Sequence, residues 1–390
     1  MQRISFLLMI ITLVLMTTMM APAQDSAKSL TTIITDDDNS NSGANTATVF
    51  SFNSKTGVAK QTRVLQTGGT GTSGGLFAAH EVAVKSDQAC VFVLDADSND
   101  IAAFQGPSGN YAKVGNYTSS NSLWNDGGGS LALARDGKAL YSANSESENI
   151  SEWTINSDCS LTHLNDYVPS GGADEFGPGF IVSPNGKYLL VSAARDGYVE
   201  TFIINKDDSL TDVAPYYFTS FPECSNGCWP SGIAIASDGK AIVVANANIA
   251  ITNMFAANVD CAGKITNQTL IDLSNGEGLL NPEAPVLDDS KAGTAQGYMS
   301  MAGWSDGLPA GIIVFSLNEK KLGKSKILSV TRNYASPEPF YGNIRNMGTW
   351  IIQAAYPNTI SAFQIKCTKL GKQVNSNDPQ GVALLSFDAF

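Results

Sequence analysis

The sequence predicts an all-β fold: a seven-bladed β-propeller of four-stranded antiparallel blades, closed by the C-terminal strand completing the N-terminal blade. Three observations predict it. A motif recurs about every fifty residues. Each clear copy places an Asp-Gly or Asn-Gly pair between two short apolar runs. The N-terminal unit has three strands and lacks an inner one, and the chain ends on a segment of the missing type.

The recurrence is read directly. Ser130-Leu-Ala-Leu-Ala-Arg-Asp-Gly-Lys-Ala-Leu-Tyr returns as Phe180-Ile-Val-Ser-Pro-Asn-Gly-Lys-Tyr-Leu-Leu-Val and as Ile233-Ala-Ile-Ala-Ser-Asp-Gly-Lys-Ala-Ile-Val-Val. The turn pairs beginning at Asp136, Asn185 and Asp238 lie 49 and 53 residues apart, and Asp87 lies 49 before the first of them. Asp-Gly and Asn-Gly accept the positive φ angles of a tight hairpin turn, so each copy begins with two antiparallel strands. A third strand such as Tyr198-Val-Glu-Thr-Phe-Ile203 and a fourth complete a blade.

The elements follow in order. Residues 1–23 form a signal peptide: Arg3 supplies the positive end, Ile4 to Met20 is uncharged and apolar, and Ala21-Pro22-Ala23 suits signal peptidase. Residues 24–390 form one propeller domain. Thr31–Ile34, Ala47–Phe52 and Lys60–Leu65 are three strands of the first blade, and further blades start near 80, 128, 178, 229, 281 and 338. Pro379 to Phe387 is the expected inner strand of the first blade. It closes the ring and hides a sheet edge that would invite aggregation.

Composition excludes several function classes. With 24 Lys+Arg against 36 Asp+Glu, a net charge of −12 and no basic cluster, the chain offers no face for nucleic acid. Two histidines, His80 and His163, cannot build a multi-histidine metal centre. Neither GxxxxGK[ST] nor HExxH occurs. No cofactor is expected, and beyond the signal peptide no segment is long enough to span a membrane. Export places the six cysteines in an oxidising compartment, extracellular or periplasmic. Cys224 and Cys228 are close enough to pair around Gly227. Cys90, Cys159, Cys261 and Cys367 allow several connectivities. Asn116, Asn149 and Asn267 begin glycosylation sequons.

Loops leading into each inner strand, and loops joining second and third strands, gather at one mouth of a propeller channel, where a rigid scaffold carries functional side chains. The first set holds His80, Trp124, Asp126, Glu175, Trp229, Glu283, Glu338 and Tyr341. The second holds Asp95, Asp97, Asn144, Glu146, Arg195, Asp196, Asn246, Asn248, Trp304, Asp306 and Tyr356. Trp124, Trp229, Glu283, Trp304 and Tyr341 are the candidate binding residues, because aromatic faces and carboxylates suit a small polar or sugar-like ligand. His80, Arg195 and Glu175 are the catalytic candidates: a base, a cation for a developing oxyanion and a helper carboxylate. His163 sits on an outer strand and is structural. Asp36-Asp-Asp-Asn39 and Asp95-Ala-Asp-Ser-Asn-Asp100 are dense in carboxylates but lack the glycine and distal glutamate of a calcium loop. They read as polar turns, and no metal is assigned.

The segments Gly177-Pro-Gly-Phe-Ile-Val-Ser-Pro-Asn-Gly-Lys-Tyr and Trp229-Pro-Ser-Gly-Ile-Ala-Ile-Ala-Ser-Asp-Gly-Lys, with outer turns such as Asp207-Asp-Ser-Leu-Thr211, resemble the seven-bladed lactonase propellers. That group includes 6-phosphogluconolactonase-type enzymes and carboxymuconate cycloisomerases. The resemblance implies a histidine, an arginine and a glutamate at positions that here hold Gly179, Ser231 and Ala247. The expected function is therefore a monomeric, secreted binding or scaffold module for a small ligand or a protein at the acidic, aromatic face. The alternative is an extracellular lactone hydrolase, a carboxylic ester hydrolase with a rearranged site.

Overall fold

A computed structural model describes residues 30–72, 80–118, 129–144, 147, 149–172, 176–194, 196–218, 224, 227–247, 253–273, 281–291, 293–302, 310–333, 344–355, 358–379 and 387–389. Blade 1 contains β1 (Leu30–Asp36), β2 (Thr46–Asn53) and β3 (Val58–Gln66); blade 2 contains β4 (Val82–Val84), β5 (Cys90–Asp95), β6 (Asp100–Gln105) and β7 (Ala112–Tyr117). Blade 3 is β8 (Ser130–Leu133), β9 (Ala139–Asn144), β10 (Asn149–Ile155) and β11 (Leu161–Tyr167). Blade 4 is β12 (Phe176–Val182), β13 (Tyr188–Ala193), β14 (Tyr198–Ile204) and β15 (Leu210–Tyr217). Blade 5 is β16 (Pro230–Ile235), β17 (Ala241–Asn246), β18 (Asn253–Val259) and β19 (Ile265–Asp272). Blade 6 is β20 (Asn281–Lys291), β21 (Thr294–Ala302), β22 (Gly311–Leu317) and β23 (Lys326–Arg332). Blade 7 is β24 (Ile344–Asn346), β25 (Trp350–Ala355), β26 (Thr359–Lys366) and β27 (Lys369–Asn377). The last strand, β28 (Phe387–Ala389), joins blade 1 in the order β28-β1-β2-β3. The structure is thus the expected seven-bladed, four-stranded antiparallel ring.

The ring closes as expected, by the C-terminal strand pairing with β1. The described closing strand pairs Phe387, Asp388 and Ala389 with Thr35, Ile34 and Ile33, at the C-terminal end of the segment expected to close the ring; residues 380–386 lie outside the described ones. Asp388 then ties the closing strand to both neighbours. Its carboxylate accepts the Val84 amide of blade 2 at 3.1 Å and meets the Arg345 guanidinium of blade 7 at 3.5 Å.

Period-two alternation explains why the middle strands are buried on both faces. In β5, Val91 and Val93 pack into the core shared with blade 1, whereas Cys90, Phe92 and Leu94 pack into the core shared with blade 3. In β17, Ile242 and Val244 face blade 4, and Ala241, Val243 and Ala245 face blade 6. Every pair of neighbouring blades shares such a core. Outer strands bury little: in β11 only Leu161 is buried.

A second repeat lies at the rim, where a side chain near the start of one blade's second strand holds the outer hairpin turn of the next blade. The donors are Tyr141 to the Asp208 carbonyl at 2.6 Å, Tyr188 to Cys261 at 3.0 Å, Gln296 to Cys367 at 2.7 Å and Trp350 to Ser54 at 2.6 Å. Thr32 and Ser108 hydroxyls meet at 3.0 Å across the first joint. Between blades 2 and 3 the link is covalent, the disulfide Cys90–Cys159. Cys224–Cys228 also pairs, as expected, while Cys261 and Cys367 are exposed thiols. Among the sequons, Asn149 is buried and accepts a hydrogen bond from Asn144, so it offers no glycan site in the folded chain. Among the described residues no helix is long and apolar enough to cross a membrane.

Cys90–Cys159 spans 69 residues and crosses a blade joint. Replacing both cysteines by alanine should destabilise the domain by about 2–4 kcal/mol, read as a lower urea midpoint than that of the oxidised parent. An unchanged midpoint would show that the disulfide adds nothing to the joint.

Candidate functional site

The mouth is organised by one position of the repeat, the last residue of the second strand. Asn144 donates to Asn149 at 2.6 Å and Asn246 to Asn253 at 2.8 Å, each fastening the loop toward the third strand. Blade 1 reverses the roles, Asn45 donating to Asp36 at 2.9 Å. Blade 2 has Asp95 at this position, against Asp100. The device is geometrically constant, but blades 1 and 2 build it from carboxylates.

Those carboxylates converge. The Asn45 amide donates to both Asp36 and Asp95, at 2.9 and 2.8 Å, and Thr67 donates to Asp95 at 2.7 Å. Asp38, with φ of 48°, accepts from the Thr72 backbone amide and hydroxyl. Glu81 leads into β4 at the position where the other repeats have Ser130, Gly179 and Gly232. One oxygen from each of Asp36, Asp38 and Glu81 lies within 4.8 Å of the others, and all three residues are buried. Burial, then repulsion by Asp38 and Asp95, pushes Asp36 well above the usual carboxylate range, and burial followed by Asp38 and Asp36 does the same to Glu81. Burial raises Asp95 to about 7 despite the Thr67 and Asn45 hydrogen bonds. Sequence reading found the two aspartate runs as separate turns. It missed Glu81, whose signal is a carboxylate where sister repeats carry small residues.

On the channel wall, His80 is partly exposed by surface area yet densely surrounded by protein. Its main chain bridges to Ser130 of blade 3, with the Leu131 amide donating to its carbonyl at 2.8 Å. Burial and then the charge of Arg345 bring its pKa down to about 3, so the imidazole is neutral at physiological pH. Arg345 was not among the sequence candidates. It sits on the inner strand of the last blade and meets His80 only through ring closure.

Trp229 is the described candidate that faces solvent, at 40% exposure. Its backbone is held on every side: its amide donates to the Asn246 side chain at 2.8 Å, its carbonyl accepts from Ala247 at 2.8 Å, and the Cys224–Cys228 disulfide ends one residue before it. Trp124, Glu175, Arg195, Trp304 and Tyr341 lie outside the described residues, as does the Glu283 side chain on β20. The expected cluster of His80, Arg195 and Glu175 therefore has one described member.

Gly179 has no room for a side chain. A Cβ there would stand 2.3 Å from the Ser231 carbonyl and 2.6 Å from Ser192 Oγ. Its amide donates to Ser192, which donates on to the Ser231 carbonyl at 2.7 Å. Ser231 and Ala247 are themselves buried. His163, on an outer strand, meets Asp166 at 2.9 Å, in keeping with a structural role. Two grooves among the described residues, of ≈ 370 and ≈ 360 Å³, lie away from the mouth, one beside β19 and β23 and the other between the Asp136 and Asn185 turns.

Fold and repeat together define a seven-bladed β-propeller. The seven-bladed β-propeller lactonase family matches residues 41–220. A crystal structure from Bacteroides fragilis assigned as a 6-phosphogluconolactonase superposes with a TM-score of 0.72 at 15% identity, covering 95% of this chain and 100% of that one. The periplasmic gluconolactonase PpgL of Pseudomonas aeruginosa gives 0.70 at 14%, covering 93% and 99%. A Lactobacillus plantarum protein gives 0.72 at 12%, covering 93% and 99%. At such identities the likeness shows the fold alone. No curated protein matches the chain significantly.

Glu200 supplies a pH signature at this face. Its buried carboxylate accepts the Ser170 amide at 2.9 Å and hydroxyl at 2.8 Å and the Gly171 amide at 3.2 Å, anchoring the loop before β12. Burial, followed by the hydrogen bond with Asp212, pushes it up to about 7 from an ordinary 4.5. A carboxyl raised on folding stabilises most below its unfolded pKa and loses that contribution as pH rises through the folded one. The parent should lose stability between about pH 5 and 7, and Glu200→Gln should flatten that decline in urea midpoints. Parallel profiles for the two proteins would refute this role.

Proposed function

We propose that this lactonase-like propeller is a secreted binding module that takes a small polar or sugar-like ligand at its mouth, with Trp229 as a stacking platform. The observation that carries the reading is the contrast within Trp229: an exposed indole on an immobilised backbone. Exposed aromatic surface held rigid loses little entropy on binding, which makes it suited to the face of a ring-shaped ligand. Export rests on residues 1–23 as a signal peptide and agrees with the two disulfides.

His80 supports binding over turnover. A group with pKa about 3 is neutral, but it is too weak a base to take a proton from water efficiently at neutral pH. Its neutral ring still donates or accepts a hydrogen bond from a hydroxyl. The second reading, an extracellular lactone hydrolase, draws support from one observation: Arg345 acts on His80 electrostatically, as a cation beside an imidazole would in stabilising an oxyanion.

Two measurements separate the readings. Titration of the mature chain with neutral sugars, sugar acids and sugar lactones should quench part of the tryptophan fluorescence, and Trp229→Ala should weaken the responding ligand about 3- to 10-fold. The same lactones should be hydrolysed no faster than in buffer. Turnover lost in His80→Ala would establish the hydrolase instead, and a response unchanged in Trp229→Ala would remove the platform.

A further inference from the structure

We propose that Asp36, Asp38 and Glu81 form a divalent-cation site, for calcium by its donor chemistry, that clamps blade 1 to blade 2 at the mouth. Their three oxygens within 4.8 Å of one another can share one ion, because opposite ligands of calcium stand about 5 Å apart. The donors are all carboxylate oxygens, which select hard cations over zinc or copper.

A second observation points to the same ligand. Asp36 is 1% exposed, and its Oδ1 accepts from Asn45 and from the Asp38 amide, whereas its Oδ2 is buried with no hydrogen-bond partner among the described residues. The Asp36 side chain also lies in contact with that of Glu81. A buried carboxylate oxygen facing other carboxylates is costly unless a cation or proton lies between them. The site is also preorganised from outside: Asn45 orients Asp36 while bonding Asp95, and the Thr72 amide and hydroxyl hold Asp38. Calcium fits better than magnesium, which demands octahedral geometry and keeps several waters, whereas these carboxylates are nearly fully buried. Asn39 and Thr72, at the edge, are partly exposed and leave a route for the ion.

The whole mature chain, stripped with EDTA and dialysed, is titrated with CaCl₂ and with MgCl₂, with bound metal counted by elemental analysis. One calcium per chain should bind, and 10 mM CaCl₂ should raise Tm by about 3 °C if the affinity is near 10⁻⁴ M. Asp38→Asn and Glu81→Gln should each weaken binding at least about tenfold and abolish the shift. Asp97→Asn, on an exposed turn of blade 2, should bind like the parent. If Glu81→Gln does not fold, Asp38→Asn decides. Absence of stoichiometric calcium, or a Tm shift that survives in Asp38→Asn, overturns the site; an equal response to MgCl₂ overturns the calcium assignment.

Discussion

The structure depends on the pairing of the last strand with the first, described at Phe387, Asp388 and Ala389 against Thr35, Ile34 and Ile33. Each blade buries both faces against two neighbours, so no blade is complete alone, and the chain ends meet only here. Without this contact the core shared by blades 7 and 1, which includes Ile33, Phe50, Phe52, Trp350 and Ile352, would open to water together with the edge of β1. Asp388 reinforces the closing strand. It takes a backbone amide from one neighbour and a guanidinium from the other, so closure is specified by a charge as well as by strand pairing.

A closed ring fixes what the mouth can do. Because the second strands are locked on both faces, the residue ending each one occupies an equivalent place around the channel, and small changes there alter chemistry without altering backbone. Asn144 and Asn246 satisfy their neighbours as neutral amides. Asp36 and Asp95 occupy the same place as carboxylates, and one amide, Asn45, must serve both. A single repeat position thus yields amide clasps in blades 3 and 5 and a carboxyl-rich corner between blades 1 and 2.

The fold was legible because its signals are local and repeated: a turn dipeptide that tolerates positive φ, short apolar runs on either side of it, and a strand missing at one end. Gly137, Gly186 and Gly239 do adopt positive φ in those turns. The site was less legible because it is made from residues distant in sequence. Glu81 reads as one more strand residue until the loop of blade 1 is placed beside it, and Arg345 reads as part of a weak seventh repeat until closure brings it to His80. The pairing of the four cysteines besides Cys224 and Cys228 stayed open for a related reason. Cys159, Cys261 and Cys367 all sit in outer hairpin turns, but only Cys159 faces a cysteine across the joint; the others face Tyr188 and Gln296.

Electrostatics then limits the ligand. The chain carries −12, the corner between blades 1 and 2 holds Asp36, Asp38, Glu81 and Asp95, and Arg345 is already engaged by Asp388. A multiply charged anion such as a phosphorylated sugar would meet this field at an energetic disadvantage, whereas a neutral ring stacking on Trp229 would not. Calcium at the acidic corner would displace the protons that burial holds on Asp36 and Glu81 and add the balance of its charge, so the cation and the ligand preference are linked through the same field. Binding of an acidic sugar should therefore gain from calcium while binding of a neutral one should not, a dependence that follows from the placement of charge around one channel and needs no movement of the blades.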